Sequence, residues 1–179
     1  GAALEERLAS AAEAAGRTLR TLSPAMLATI RVEAGLPSFG PDLDASTLLP
    51  ETGLEAWAVS YTKGCYLGQE TVARVKTYGS PQRKLMGLLL PPEADPADLA
   101  GQTLAVDGKP VGELRSAVSS PALGRPIGLP YLDKAHRVPG QALDLSVAGR
   151  PLPPEAVALP FVAPPRQARK RAKACVETG

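Results

Sequence analysis

Turn-forming residues constrain this chain most. Glycine and proline together make up 36 of its 179 residues, about a fifth. Aromatic residues contribute only 4%, so any core must be built from Leu, Val and Ala. Such punctuation argues for short strands and many turns, and from Arg83 onward the chain has that texture. Leu85 to Leu90 is an apolar run and is followed by Pro91-Pro92. Thr103 to Val106 then leads to Asp107-Gly108, a hairpin-type turn signal, and to Val111 to Val118. Ile127 to Leu132, the alternating Leu143 to Val147, and Val157 to Val162 complete the strand candidates. Several short strands separated by turn residues predict a small β-barrel or sandwich over 83–163.

The first 82 residues read differently. Leu4, Leu8, Ala11 and Ala15 recur at helical spacing ahead of Gly16. A second helix is signposted at both ends, by Ser23 as cap with Pro24 after it, and by Gly35 and Pro37 as stops. Residues 37–53, rich in Pro, Gly and Asp, predict an ordered loop or a pair of turns. Ala56 to Tyr61 reads as a short strand, and a third helix is expected from Leu67–Gly68 to about Lys76. The expected fold class is therefore α+β, a mixed segment over 1–82 followed by the barrel, with a basic tail over 164–179.

Composition narrows the function classes. No apolar run approaches the roughly 18 to 20 residues needed to span a bilayer, and a signal-peptide layout is absent, so a cytoplasmic protein without membrane contact is expected. Cys65 and Cys175 are the only thiols, too few for a disulfide framework or for the four ligands an iron–sulfur cluster usually takes. With His136 the single histidine, no His-rich metal site is expected, and His136 itself reads as a surface residue. The net charge of +2 conceals an asymmetry. The last 14 residues carry five Lys and Arg against one acid, leaving the body net acidic. A run such as Arg166 to Lys173 is commonly a disordered end. The alternative is a phosphate-backbone contact, without base readout because no aromatic interleaves it.

Two clusters carry the candidate chemistry. In Lys63-Gly64-Cys65-Tyr66-Leu67-Gly68-Gln69-Glu70, two glycines four apart permit a sharp turn, and Cys65 lies beside Lys63 just ahead of an expected helix start. Both features favour a thiolate; the plainer reading is a small buried thiol used as filler. Gln69 and Glu70 are expected in the helix's first turn. In Arg31-Val32-Glu33-Ala34-Gly35-Leu36-Pro37, followed by Gly40 and Asp42, Arg31 and Glu33 are two apart and are expected to point to different sides. A carboxylate can grip the amino-pyrimidine edge of a pterin through parallel N–H bonds, whereas the plainer reading is a surface helix end.

Taken together, Arg31-x-Glu33-x-Gly35-x-Pro37, Gly40-x-Asp42, Pro50-Glu51, Lys63 to Glu70 and Ala73-Arg74 resemble the YgfZ-type folate-binding proteins. These belong to the superfamily of the glycine-cleavage aminomethyltransferase, or T-protein. Val111 to Ser116, Ser120-Pro121 through Gly124, and Ile127-Gly-Leu resemble that family's C-terminal barrel, so the likeness covers roughly residues 20–162. The resemblance implies a tetrahydrofolate-binding accessory factor for iron–sulfur proteins, including tRNA-modifying enzymes. By carry-over Cys65 is the reactive thiol with Lys63 beside it. Glu33 is the pterin carboxylate supported by Arg31, and Tyr66, Gly68, Gln69, Glu70 and Arg74 complete the cofactor-binding set. The family's N-terminal region, which supplies much of the folate pocket, has no counterpart here, so the chain is expected to be either the later part of a longer protein or a reduced form with weakened folate affinity. Folate-dependent aminomethyl transfer is the alternative function, and an RNA-binding module using the basic tail is a third.

Overall fold

The computed structural model describes residues 2–61 and 63–163. The basic tail, with its expected disorder, its phosphate-contact alternative and Cys175, lies outside the described residues. The fold is α+β. Four helices, α1 (Ala2–Ala14), α2 (Pro24–Glu33), α3 (Glu55–Ala58) and α4 (Gln69–Tyr78), precede eight strands. These are β1 (Arg83–Leu85), β2 (Gly87–Leu89), β3 (Thr103–Val106), β4 (Lys109–Ser120), β5 (Arg125–Asp133), β6 (Ser146–Val147), β7 (Arg150–Pro151) and β8 (Glu155–Val157).

The main sheet is antiparallel, in the order β3-β4-β5-β2-β8, with β1 also paired to β5. It curls into a barrel because residues 141–145 bridge its two edges. Ala105 and Asp144 exchange backbone bonds of 2.9 and 2.7 Å on the β3 side, while Leu143 N donates to Pro154 O and Ala156 N to Gln141 O on the β8 side. Closing a sheet this way leaves no long unpaired edge. The alternation expected for Leu143 to Val147 is present. Leu143 and Leu145 are buried and Asp144 is exposed, although the regular ladder is confined to β6 and β7. At the expected hairpin, Asp107 and Gly108 both take positive φ, 52° and 73°, as a type I′ turn requires.

Inside the barrel, Leu88, Leu90, Leu99, Leu104, Leu114 and Leu132 are fully buried, so leucines replace the missing aromatics. β5 is buried on both faces. Leu132 faces the interior, while Ile127, Leu129 and Tyr131 join Val32 of α2 in a second cluster on the outside. A β-bulge makes this second cluster possible. Leu114 pairs with Pro130 and Ser116 with Leu129, which leaves Arg115 as the extra residue. The bulge shifts the side-chain phase by one. Leu114 points inward, whereas Ser116, Val118 and Ser120 point out towards α2.

Two expectations are corrected. Ala56 to Tyr61 is not a strand: Trp57 N and Ala58 N donate to Leu54 O, and Val59 N to Glu55 O, forming α3. An Ala-rich stretch without alternation has little reason to extend. Val157 to Val162 is not a strand to its end either. After Val157 the chain leaves the sheet, since Pro160 has no N–H for a ladder. It then turns onto α2, where Val162 N donates to Glu33 O at 3.0 Å. No helix among the described residues is long and apolar enough to cross a membrane.

Candidate functional site

α2 is positioned by its ends. Ser23 Oγ accepts from Met26 N at 3.1 Å, Pro24 follows the cap, and the helix stops at Gly35, whose φ is 67°. Gly35 is also required by space, since a Cβ there would lie 3.0 Å from Leu159 Cβ and 3.3 Å from Pro160 Cα. The last turn of α2 is locked against the barrel. Arg31 Nη1 donates to Leu36 O at 2.8 Å and to Asp42 Oδ2, and its Nη2 donates to Ser116 Oγ at 3.3 Å. Ser38 N also donates to Asp42 Oδ2, at 2.9 Å. Glu33 Oε1 accepts from Ser120 Oγ at 2.5 Å and from Ala122 N at 3.3 Å. Arg31 and Glu33 therefore do not point to different sides as expected. Both reach β4 and its following turn, because Ser116 and Ser120 lie on the outward phase set by the bulge. Glu33 Oε2 keeps no hydrogen bond within the described residues.

The Cys65 loop is open. Cys65 is exposed and makes no hydrogen bond among the described residues. It is thus not the buried filler of the plainer reading. α4 begins at Gln69, with Gly68 as its cap at φ 84°, so Cys65 stands three residues before the cap, and the helix dipole acts mainly within the first turn. Lys63 Nζ lies 4.9 Å from the centre of the Tyr66 ring, a cation–π contact. Gln69 Oε1 accepts from Tyr66 N at 3.3 Å, tying the loop back to the helix start, and Glu70 lies in the first turn as expected. Nearby, Tyr61 donates its hydroxyl to Glu55, a bond that pushes the phenol up to about 12. Arg74 lines a separate open cleft of ≈ 290 Å³ with Leu48, Glu51 and Pro81. No hydrogen bond or ion pair among the described residues joins the Lys63–Arg74 cluster to Arg31 and Glu33. His136 sits in a short turn with Nδ1 2.9 Å from Gln141 Nε2.

A third constellation was not singled out from the sequence. Asp42 and Glu51 are buried in the segment before the barrel. Glu51 Oε2 accepts from Leu48 N at 3.2 Å and from Arg83 Nε at 3.1 Å, and Arg83 stacks 5.1 Å from the Tyr131 ring centre. Arg115, freed by the bulge, donates to Pro41 O and pairs with Glu113 and Asp44. The Asp44 carboxyl is held below its ordinary range, chiefly by the Ser46 hydroxyl and amide. Tyr131 is pushed up to about 12, first by burial and then by Glu51 and Asp42, against opposing pulls from Arg83 and Arg115. The Gly40-x-Asp42 and Pro50-Glu51 motifs were its only signals in the sequence.

Residues 83–163 match the family described as the glycine cleavage T-protein C-terminal barrel domain, which is the whole curled sheet. The family match lies in this barrel. It is 38% identical over 136 residues to the aminomethyltransferase of Streptomyces avermitilis, covering 74% of this chain and 36% of that protein. To the aminomethyltransferase of Streptomyces coelicolor it is 34% identical over 164 residues, covering 88% of this chain and 42% of that protein. The solved structure of glycine cleavage system aminomethyltransferase T from Bartonella henselae superposes with a TM-score of 0.65 at 26% identity, over 75% of this chain and 37% of that one. The chain thus spans about two-fifths of the length of the T-protein relatives it matches. An alignment over 88% of the chain necessarily takes in Arg31, Glu33 and the Cys65 loop.

Proposed function

We propose that the chain takes part in folate-dependent aminomethyl transfer, with tetrahydrofolate held in part by the end of α2. The observation that carries this reading is the likeness to proteins named aminomethyltransferase across both residue clusters and the barrel. The geometry is compatible with it. Glu33 has one oxygen fixed by Ser120 and Ala122, so its carboxylate is oriented, and its free Oε2 can accept an N–H from an amino-pyrimidine. Arg31, with Nη1 on Asp42 and Leu36 O and Nη2 on Ser116, acts as a positioning residue. Tetrahydrofolate, when bound, supplies the amine that accepts the one-carbon unit.

Calorimetric titration of the chain with tetrahydrofolate tests this. Binding is expected, with Glu33→Gln weakening it about tenfold, as for loss of one charged hydrogen bond. Unchanged affinity in that variant would sink the role of Glu33, and absence of binding would sink folate as this chain's ligand. A second reading, the YgfZ-type accessory role towards iron–sulfur proteins, is favoured by the exposed, unbonded thiol of Cys65. Cys65→Ser separates the two: it leaves folate binding intact in both readings but abolishes support of iron–sulfur enzymes only in the second.

A further inference from the structure

Between the C-terminal end of α4 and the barrel lies an open cleft of ≈ 680 Å³. Small-molecule sites occupy roughly 300–1,000 Å³. Val75, Pro81 and Met86 supply apolar wall, while Lys84, Lys134 and Arg137 line the cleft with three cations. Strand register gathers the two lysines. Lys84 pairs with Leu132, and Lys134 N donates to Gln82 O at 2.7 Å, so the β1–β5 pairing runs one step further. Lys84 and Lys134 are therefore diagonal neighbours on one face, about 7–8 Å apart at the backbone and within joint reach of long side chains. Arg137 comes one short 3₁₀ turn after Lys134, where side chains three apart lie over one another.

No acid answers this charge among the described residues. Lys84, Lys134 and Arg137 form no side-chain hydrogen bond or ion pair there. Glu55, the acid on the cleft wall, is engaged by the Tyr61 hydroxyl. Asp133 pairs in register with Arg83 and so lies on the opposite face, and Glu51 is held by Arg83. Like charges on neighbouring strands repel, so the cluster costs stability until an anion joins it. Three cations against one carboxylate leave a charge of +2 on the lining, which matches the dianion of a phosphate monoester. We propose that this cleft binds a small phosphate monoester, its phosphoryl oxygens accepting from Lys84, Lys134 and Arg137 and its organic body lying on Val75, Pro81 and Met86. The site does not rest on the folate reading, since neither Arg31 nor Glu33 lines it. It adjoins the Arg74 cleft, sharing Val75 and Pro81 with it.

The test is an NMR titration of the whole chain with phenyl phosphate at pH 8, where the ester is dianionic. Phenyl sulfate keeps the ring and shape with a single charge, and inorganic phosphate keeps the charge without the ring. Saturable shifts at the Val75, Lys84 and Lys134 amides are expected with phenyl phosphate. Phenyl sulfate should bind about tenfold more weakly, and inorganic phosphate at least about threefold more weakly. Lys84→Met and Lys134→Met alter exposed side chains and should each weaken phenyl phosphate about tenfold, the worth of one charged hydrogen bond. Absence of a saturable response, equal affinity for either comparison ligand, or unaltered affinity in either lysine variant would overturn the proposal.

Discussion

Replacing Arg31 with Met should detach α2 from the barrel. Asp42 has no exposed surface, and its Oδ2 is met by Arg31 and by the Ser38 amide, while the Arg31 side chain is 19% exposed. Removing one partner of a buried ion pair strands a charge and typically costs 3–5 kcal/mol. The bonds to Leu36 O and Ser116 Oγ are lost as well, at about 1 kcal/mol each. Water reaching the partly exposed Arg31 side offsets some of this, so a net loss of about 3 kcal/mol is expected, a large share of a typical total of about 5–15. Urea unfolding at pH 7 measures it, and hydrogen exchange should show the α2 amides opening before those of β4 and β5. The double variant Arg31→Met/Asp42→Leu removes both charges and should recover most of the loss, giving a coupling of at least about 2 kcal/mol. A single-variant cost below about 1 kcal/mol, or no coupling, would refute the claim that this pair fastens the helix.

The other expectations are smaller. Gly35→Ala should destabilise the chain by about 1–3 kcal/mol in urea, from positive φ together with the crowding against Leu159 and Pro160. The Tyr131 phenol keeps its proton to about pH 12 when folded and releases it near 10 when unfolded. Stability should therefore be level below pH 10 and fall by up to about 2–3 kcal/mol as pH rises from 10 to 12, and Tyr131→Phe should remove that part of the fall. In a Cys175→Ser background, iodoacetamide should label Cys65 in the native protein nearly as fast as in urea. Protection by more than about tenfold would contradict its exposure.

Much of the architecture could be read in advance because it is written in local chemistry. Ser23, Pro24 and Gly35 bound α2 through caps that act over a few residues, and Asp107-Gly108 dictates its hairpin by backbone sterics. Apolar runs between turn residues marked the barrel strands, and Leu143 to Val147 showed the period of two that burial on one face leaves. The Ala56–Tyr61 segment misled because a four-residue helix carries too few positions to show a period. For the candidate site, the clusters were visible but their surroundings were not. Cys65 read equally well as a buried filler or an open thiol, and only the chain around it decides that.

Sequence alone determined most of the turns and barrel strands, and which side chains are chemically able to act. Tertiary structure decided where they point. A single extra residue, Arg115, sends Ser116 and Ser120 outward to receive Arg31 and Glu33. That phase depends on the register between β4 and β5, a non-local pairing that no short stretch of sequence encodes.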